Sequence, residues 1–282
     1  MTRGLILEGG AMRGMFTCGV LDVFMEENIH FDAGAGISAG ALFGINYKSK
    51  QIGRGVRYTK KYCKDWRFCS FKSLIKTGDL YGVDFCYHTI PDELDPFDRE
   101  TFAKDPFEFY VGATNLETGK VIFHKCTDGG PNDVSWLQAS ASMPAVSRFV
   151  HVDGYTLLDG GIICPIPYEF VENLGLDKNV AVLTQPETYV KHKTKAGLIY
   201  KTSLRKYPDI AKIMDNRHNL YNEMTAAIKE REASGRLFVI RPPEALGIKR
   251  TENNPDELER VYQMGRSEAL KRLPELKEYL AN

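Results

Sequence analysis

The chain has no C-x-x-C pair among its six cysteines and no paired spacing between them. A zinc ribbon or dithiol redox motif is therefore not written in it. Cys18, Cys63, Cys69, Cys86, Cys126 and Cys164 are expected to be free thiols of a cytoplasmic protein with no metal site. No apolar run approaches the roughly 20 residues that a membrane-spanning helix needs. Met1-Thr2-Arg3 leads straight into an apolar strand, without a charged leader or a cleavage site, so no export signal is expected. Net charge is lacking too: 37 Lys and Arg balance 37 Asp and Glu. That argues against nucleic acid as the main partner, because phosphate binding needs a basic excess on some face. G-x-x-x-x-G-K-[ST] occurs nowhere, which excludes a P-loop. Internal repeats and low-complexity tracts are absent as well. What remains is a chain of 282 residues, 43% apolar and 26% charged, enough for a sizeable core in a soluble globular protein.

Leu5-Ile6-Leu7 reads as a short buried strand that ends at Glu8-Gly9-Gly10. From Gly14 to Glu27 apolar residues recur every four positions, which is helical spacing. "FDAGAGIS" returns as a strand, and Ala39 to Tyr47 as a second helix. This rhythm of strand, glycine turn and helix predicts an α/β fold, a mainly parallel sheet covered by helices on both faces. Residues 54–105 are aromatic-rich and punctuated by Gly78, Gly82, Pro91 and Pro96. They read as an inserted cap of short helices and loops, whose aromatics form a local core more readily than they line a pocket. Further on the sequence predicts a hairpin turning at Asn115 to Gly119, a helix from Asn132 to Ser142, and strands at "GYTLLDGG" and Asn179 to Thr184. A helical stretch from about residue 195 should break at Pro208, before a late strand at Leu237–Ile240 and a closing helix from Pro255 to Leu280.

Two glycine-rich turns carry the chemistry. Gly36-Ile37-Ser38-Ala39-Gly40 fits the G-x-S-x-G pattern of a nucleophile elbow, which holds a serine in a tight turn at the head of a helix. "GAGISAG" also resembles a dinucleotide-binding turn. It follows the second strand rather than the first, however, and no acidic residue stands about 20 positions on to hold a ribose. In the other turn, Gly9-Gly10-Ala11-Met12-Arg13-Gly14, consecutive glycines before a helix can aim N–H groups at one point, with Arg13 adding a positive charge. An oxyanion needs such donors, each worth roughly 3 kcal/mol in acyl transfer. Close helix–strand packing would also explain either turn taken alone.

A serine alcohol needs a partner to take its proton. The only histidines after Asp159 are His192 and His218, in "VKHKTK" and "DNRHNL", which look like solvated stretches. A carboxylate in hydrogen-bond reach can serve instead. Two "DGG" triplets compete: Asp128 precedes Pro131 in what looks like turn chemistry, whereas Asp159 ends the apolar strand "YTLL".

With these residues in view, the chain resembles the patatin-like phospholipases, a family of acyl hydrolases. The family pairs a G-G-G-x-[RK]-G oxyanion motif with a G-x-S-x-G elbow and a later D-G-[GA]. Here those are "GGAMRG" at 9–14, "GISAG" at 36–40 and "DGG" at 159–161, and the similarity runs from about residue 4 to 185. The resemblance implies a three-layer α/β/α sandwich and a Ser–Asp dyad working without cofactor or metal. Ser38 would be the nucleophile and Asp159 the base. Gly9, Gly10, Ala11 and Ala39 would offer oxyanion N–H groups beside Arg13, with Gly14, Gly36, Gly40, Gly160 and Gly161 supporting the turns. Ala11 stands where the family has its third glycine, which suggests a shifted oxyanion geometry.

The substrate implied is a carboxylic ester of a fatty acyl lipid. A non-catalytic lipid-binding or regulatory protein on the same fold is the alternative. Residues 188–208 hold no acid but carry Lys191, Lys193, Lys195, Lys201, Arg205 and Lys206 with Leu198, Ile199 and Tyr200. Such a segment could touch an anionic lipid surface transiently or be a solvated helix face. The expected organisation is a catalytic domain over 1–190, containing the 54–105 insertion, and a mostly helical extension over 191–282 packed on it.

Overall fold

The computed structural model describes residues 1–281. Its centre is a mixed, mostly parallel sheet. Strand β1 (Arg3–Leu7) lies between β2 (Ala33–Ile37) and β7 (Lys178–Val182). β8 (Leu237–Ile240) extends it beyond β7, and β3 (Glu108–Asn115) beyond β2, all in parallel. At β3 the direction reverses. β4 (Lys120–Cys126) returns from it as a hairpin, and β6 (Tyr155–Asp159) and β5 (Val150–Val152) add antiparallel pairs.

Alternation along the strands makes the layers. Leu5, Leu7, Val180, Val182, Phe238 and Ile240 point into one core, and Ile6, Ala181, Leu237 and Val239 into the other. The first core is closed by α1 (Gly14–Glu26), α2 (Ala39–Lys48) and α10 (Pro255–Ala281); the second by α7 (Tyr168–Glu172) and α9 (Pro208–Ala233). The result is the expected three-layer α/β/α sandwich. Helix α1 is buried from Gly14 to Phe24 because α10 crosses it at backbone distance. A Cβ on Gly19 would stand 2.1 Å from the Tyr262 carbonyl, and one on Gly265 2.0 Å from that of Phe16.

The 54–105 segment forms α3 (Arg54–Tyr62), α4 (Phe71–Thr77), a wide π-type helix over Phe85–Leu94 and α5 (Arg99–Lys104). Pro91, which has no N–H, interrupts the regular ladder in the π-type stretch. The aromatics here do both jobs weighed above. Phe68, Phe97 and Phe102 belong to the main core and, with Tyr58, Tyr81 and Tyr87, line a cavity.

The helical stretch breaks at Pro208 as expected, and the proline opens α9, where its missing N–H has no partner to lose. The preceding helix, α8 (Gly197–Ser203), is a separate short element. Strand β5, three residues long, is too short for alternation to reveal. The hairpin, with α6 (Pro131–Ala141) after it, lies where expected.

Candidate active site

Strand register brings Ser38 and Asp159 together. β4 occupies one edge of β3 from Phe109 to Asn115, so β2 and β6 share the other. β2 runs up that edge until Ile37 faces Gly112, and β6 runs down it until Asp159 faces Ala113, one residue on. Ser38 follows Ile37 directly. Two strand ends far apart in sequence thus converge head-on.

The elbow is tight. Ser38 has φ 53° and ψ −119°, a left-handed conformation that a side chain adopts only under constraint, at the N-cap of α2. The flanking glycines impose it. A Cβ on Gly36 would lie 2.6 Å from the Gly40 carbonyl, and one on Gly40 2.5 Å from that of Leu7. The Ser38 N–H donates to Ser140 Oγ at 2.9 Å, and Ser140 Oγ donates to the Gly112 carbonyl at 2.7 Å. Ser140, on α6 and fully buried, therefore ties the elbow to β3. Its place in the small-residue stretch before Asp159 gave no hint of this role.

Asp159 is buried and held on several sides. Its N–H donates to the Ser142 carbonyl, its own carbonyl accepts from Thr114 Oγ1, and its carboxylate accepts from the Gly161 N–H at 2.6 Å. Burial raises its pKa above the usual carboxylate value. The Gly161 N–H, the Arg217 charge, the Ser38 hydroxyl and the Arg250 charge oppose that rise. Arg217, from α9, also donates through Nε to the Gly161 carbonyl.

The first glycine turn lies beside Ser38. A Cβ on Gly9 would stand 3.3 Å from Ser38 Cβ, but the Gly9 N–H is already spent on the Pro165 carbonyl at 3.1 Å. Gly9 is thus a spacer permitting close approach, and the expectation of a donor there is corrected. Ala11, the residue in place of glycine, has φ 50°. Arg13 lines the same cavity as Ser38 and Asp159, with its buried Nε lacking a hydrogen-bond partner.

Ser38 stands where two cavities meet. One is mainly apolar, lined by Met12, Leu42, Phe43, Tyr58, Phe68, Ile90 and other side chains, chiefly from α2 and the 54–105 segment, with Arg54 and Arg99 also at its wall. The other is the more polar of the two: between apolar walls that include Leu80, Ile162 and Met214 it holds Glu8, Asp159 and the cations Arg13, Lys191, Arg217 and Arg250. Ala11, Ser38 and Met143 border both.

The competing bases fall differently. Asp128 is exposed and accepts from the Gly130 N–H, as turn chemistry requires. His192 and His218 do line the polar cavity, although the groups that chiefly shift Asp159 are Gly161, Arg217, Ser38 and Arg250. Lys191, counted above among surface cations, lies in this cavity instead. Among the described residues His124, Cys126 and Asp133 approach one another closely enough to suggest a metal. Their geometry is that of a hydrogen-bonded turn. Asp133 accepts from His124 at 2.7 Å and from the N–H groups of Thr127, Asp128 and Gly129, while burial raises the Cys126 thiol and keeps it neutral.

Comparison with known proteins places these motifs. A patatin-like phospholipase model matches residues 5–171, and a domain of unknown function (DUF6363) matches 207–281. An uncharacterized Escherichia coli protein, YjjU, is 26% identical over 93% of this chain and 74% of its own length. Lysophospholipase nte1 of Aspergillus oryzae is 26% identical over 64% of this chain, and neuropathy target esterase sws of Drosophila melanogaster 27% over 85%. This chain spans only 11% and 17% of those two. Among solved structures, VipD from Legionella pneumophila aligns with a TM-score of 0.48 at 13% identity, over 97% of this chain and 67% of that one. The family model covers the two glycine turns, the elbow serine and the aspartate at the end of β6, and on that match the chain belongs to the patatin-like phospholipase family of lipid ester hydrolases.

Proposed function

We propose that the protein is a serine acyl hydrolase that cleaves carboxylic esters of fatty acyl lipids with a Ser38–Asp159 dyad. The observation that carries this reading is the convergence of a strained Ser38 and a buried Asp159 at the border of an apolar and a polar cavity. Ser38 Oγ bonds to the acyl carbon while its proton passes to Asp159 and on to the leaving alcohol. Water then cleaves the acyl-serine, releasing the fatty acid and returning a proton to Ser38. The N–H groups of Gly10, Ala11 and Ala39, beside Arg13, would hold the oxyanion. The fatty chain lies in the apolar cavity.

Access from a lipid surface fits the same reading. No described helix is long and apolar enough to cross a membrane. Phe71 and Ile75 on α4, and Leu198 and Ile199 on α8, are nevertheless exposed large apolar residues, with Lys72, Lys76 and Lys201 beside them in sequence.

The test is hydrolysis of p-nitrophenyl esters of increasing chain length by native protein and Ser38→Ala. Native turnover is expected, abolished in the variant, with an optimum set by the apolar cavity. Equal rates in both proteins on every ester would exclude Ser38 as nucleophile and favour a lipid-binding role.

A further inference from the structure

The polar cavity carries a charge that ester hydrolysis as such does not require. Arg13, Lys191, Arg217 and Arg250 line it against two carboxylates, Glu8 and Asp159. Both carboxylates are engaged. Glu8 accepts from the Thr184 N–H at 2.6 Å and from the Tyr221 hydroxyl at 2.7 Å, and Asp159 faces Gly161, Ser38 and the charges of Arg217 and Arg250, which leaves four cations to two carboxylates. Among the described residues none of the four cations forms an ion pair, and Arg13 Nε is buried without any partner. Burial and the charges of Arg217, Arg250 and Arg13, opposed only in part by Glu8, push the Lys191 ammonium down to about 7. Like charges gathered in a partly desolvated space repel one another unless an anion joins them.

The cluster is built rather than incidental. Met214, Arg217, His218 and Tyr221 recur at helical spacing, so one face of α9 lines the cavity. Asn222, the next residue, clamps the Lys191 backbone from both sides: its Oδ1 accepts from the Lys191 N–H at 2.8 Å and its Nδ2 donates to the Lys191 carbonyl at 3.0 Å. Lys191 Nζ rests 4.8 Å from the Tyr221 ring centre. Three of the four cations lie C-terminal to the residues that match the patatin-like model. The cavity, about 400 Å³, is in the range of small-molecule sites.

We propose that this cavity binds the phosphomonoester head group of a monoacyl lipid, and that the C-terminal region thereby selects dianionic head groups over zwitterionic and neutral ones. The proposal rests on the acyl hydrolase reading for its substrate, but not for its binding site. With the ester carbonyl at Ser38, the chain extends into the apolar cavity and the phosphate lies among Lys191, Arg217 and Arg250. A quaternary ammonium in the same place would face the same cations, so the arrangement repels a choline head group as well as attracting a phosphate.

The test compares kcat/KM on three lipids with one acyl chain and different head groups: a lysophosphatidate, a lysophosphatidylcholine and a monoacylglycerol. Native protein is expected to prefer the first over the other two by about tenfold or more. In Lys191→Gln combined with Arg250→Gln that ratio should fall to within about threefold, while Lys191→Arg should preserve it. A native ratio near one, or an equal loss on all three lipids in the double variant, overturns the proposal.

A second readout needs no turnover. Inorganic phosphate should raise the melting temperature of native protein more than chloride at equal ionic strength, and the double variant should lose that gain. If no ester is cleaved, this measurement decides the binding site alone, so failure of the hydrolase reading is seen separately. An identical gain in the variant, or none in either protein, overturns the site. Phosphate protection with a flat lipid ratio assigns it to free phosphate and overturns the head-group role.

Discussion

Ser140 Oγ accepts from the Ser38 N–H at 2.9 Å and donates its hydroxyl hydrogen bond to the Gly112 carbonyl at 2.7 Å. The elbow is therefore fixed to β3 by a side chain from a third element, and β3 is the strand that also positions Asp159. Ser140→Ala strips a buried donor and a buried acceptor of their partner, which costs about 1–3 kcal/mol. It also loosens Ser38 relative to Asp159, so kcat should fall roughly tenfold or more, with KM little changed. Thermal melting with steady-state kinetics on one ester checks both. Unchanged kcat in a destabilised variant would reduce Ser140 to a packing residue.

Burial favours the neutral form of the Asp159 carboxyl group. Its pKa is raised, chiefly by burial, so between the usual carboxylate value and the raised one the folded state binds more protons than the unfolded one and stability falls as pH rises through that window. Asp159→Asn removes that penalty while its Oδ1 can still accept from Gly161. The expected outcome is a higher melting temperature at pH 7 than at present, with turnover lower by roughly 10³-fold or more. The acid limb of native kcat/KM should accordingly lie above the ordinary carboxylate range. Because Arg217 and Arg250 hold the carboxylate down, Arg217→Gln should move that limb to higher pH. A limb that stays in place would mean that Arg217 acts only through Gly161.

How much of this was legible in the chain depends on the distance over which each residue acts. The elbow, the first glycine turn and the strands declare themselves because a tight turn or an alternation is a local demand on backbone and side chain. Asp159 was legible as a carboxylate at a strand end, but only the β3 register explains why it meets Ser38. Ser140 and Arg217 were not legible. One is a serine in a small-residue stretch and the other an arginine in "DNRHNL", and each acquires its contact when a separate helix docks. Lys191 misled for the same reason. A stretch without acids reads as a surface, yet Asn222 turns this lysine inward.

The crossing of α1 and α10 depends on two glycines. Gly265→Ala would place a methyl group 2.0 Å from the Phe16 carbonyl oxygen, a rigid backbone atom, so the helices must separate. Overpacking of this kind costs about 1–3 kcal/mol or more. The melting temperature should fall by several degrees, at roughly 2–4 °C per kcal/mol for a chain of this size. Residual activity should survive at low temperature, because the crossing lies outside both cavities. A variant as stable as the native protein would show that α10 can be displaced without loss.

Ala11 offers a test of the first glycine turn and of its proposed oxyanion role. At φ 50° an alanine is strained by about 1–2 kcal/mol, whereas glycine adopts this conformation freely. Glycine also loses more entropy on folding, by up to about 1 kcal/mol, so the two effects nearly offset with a small advantage to glycine. Ala11→Gly is therefore expected to melt at the native temperature or slightly above it, while keeping the N–H where it is. Ala11→Val keeps the N–H too, but a β-branched side chain resists positive φ. The valine variant should lose stability and turnover together, and the glycine variant neither. Loss of turnover in the glycine variant at full stability would point instead to the methyl group, which borders both cavities beside Ser38, as a contact the substrate uses.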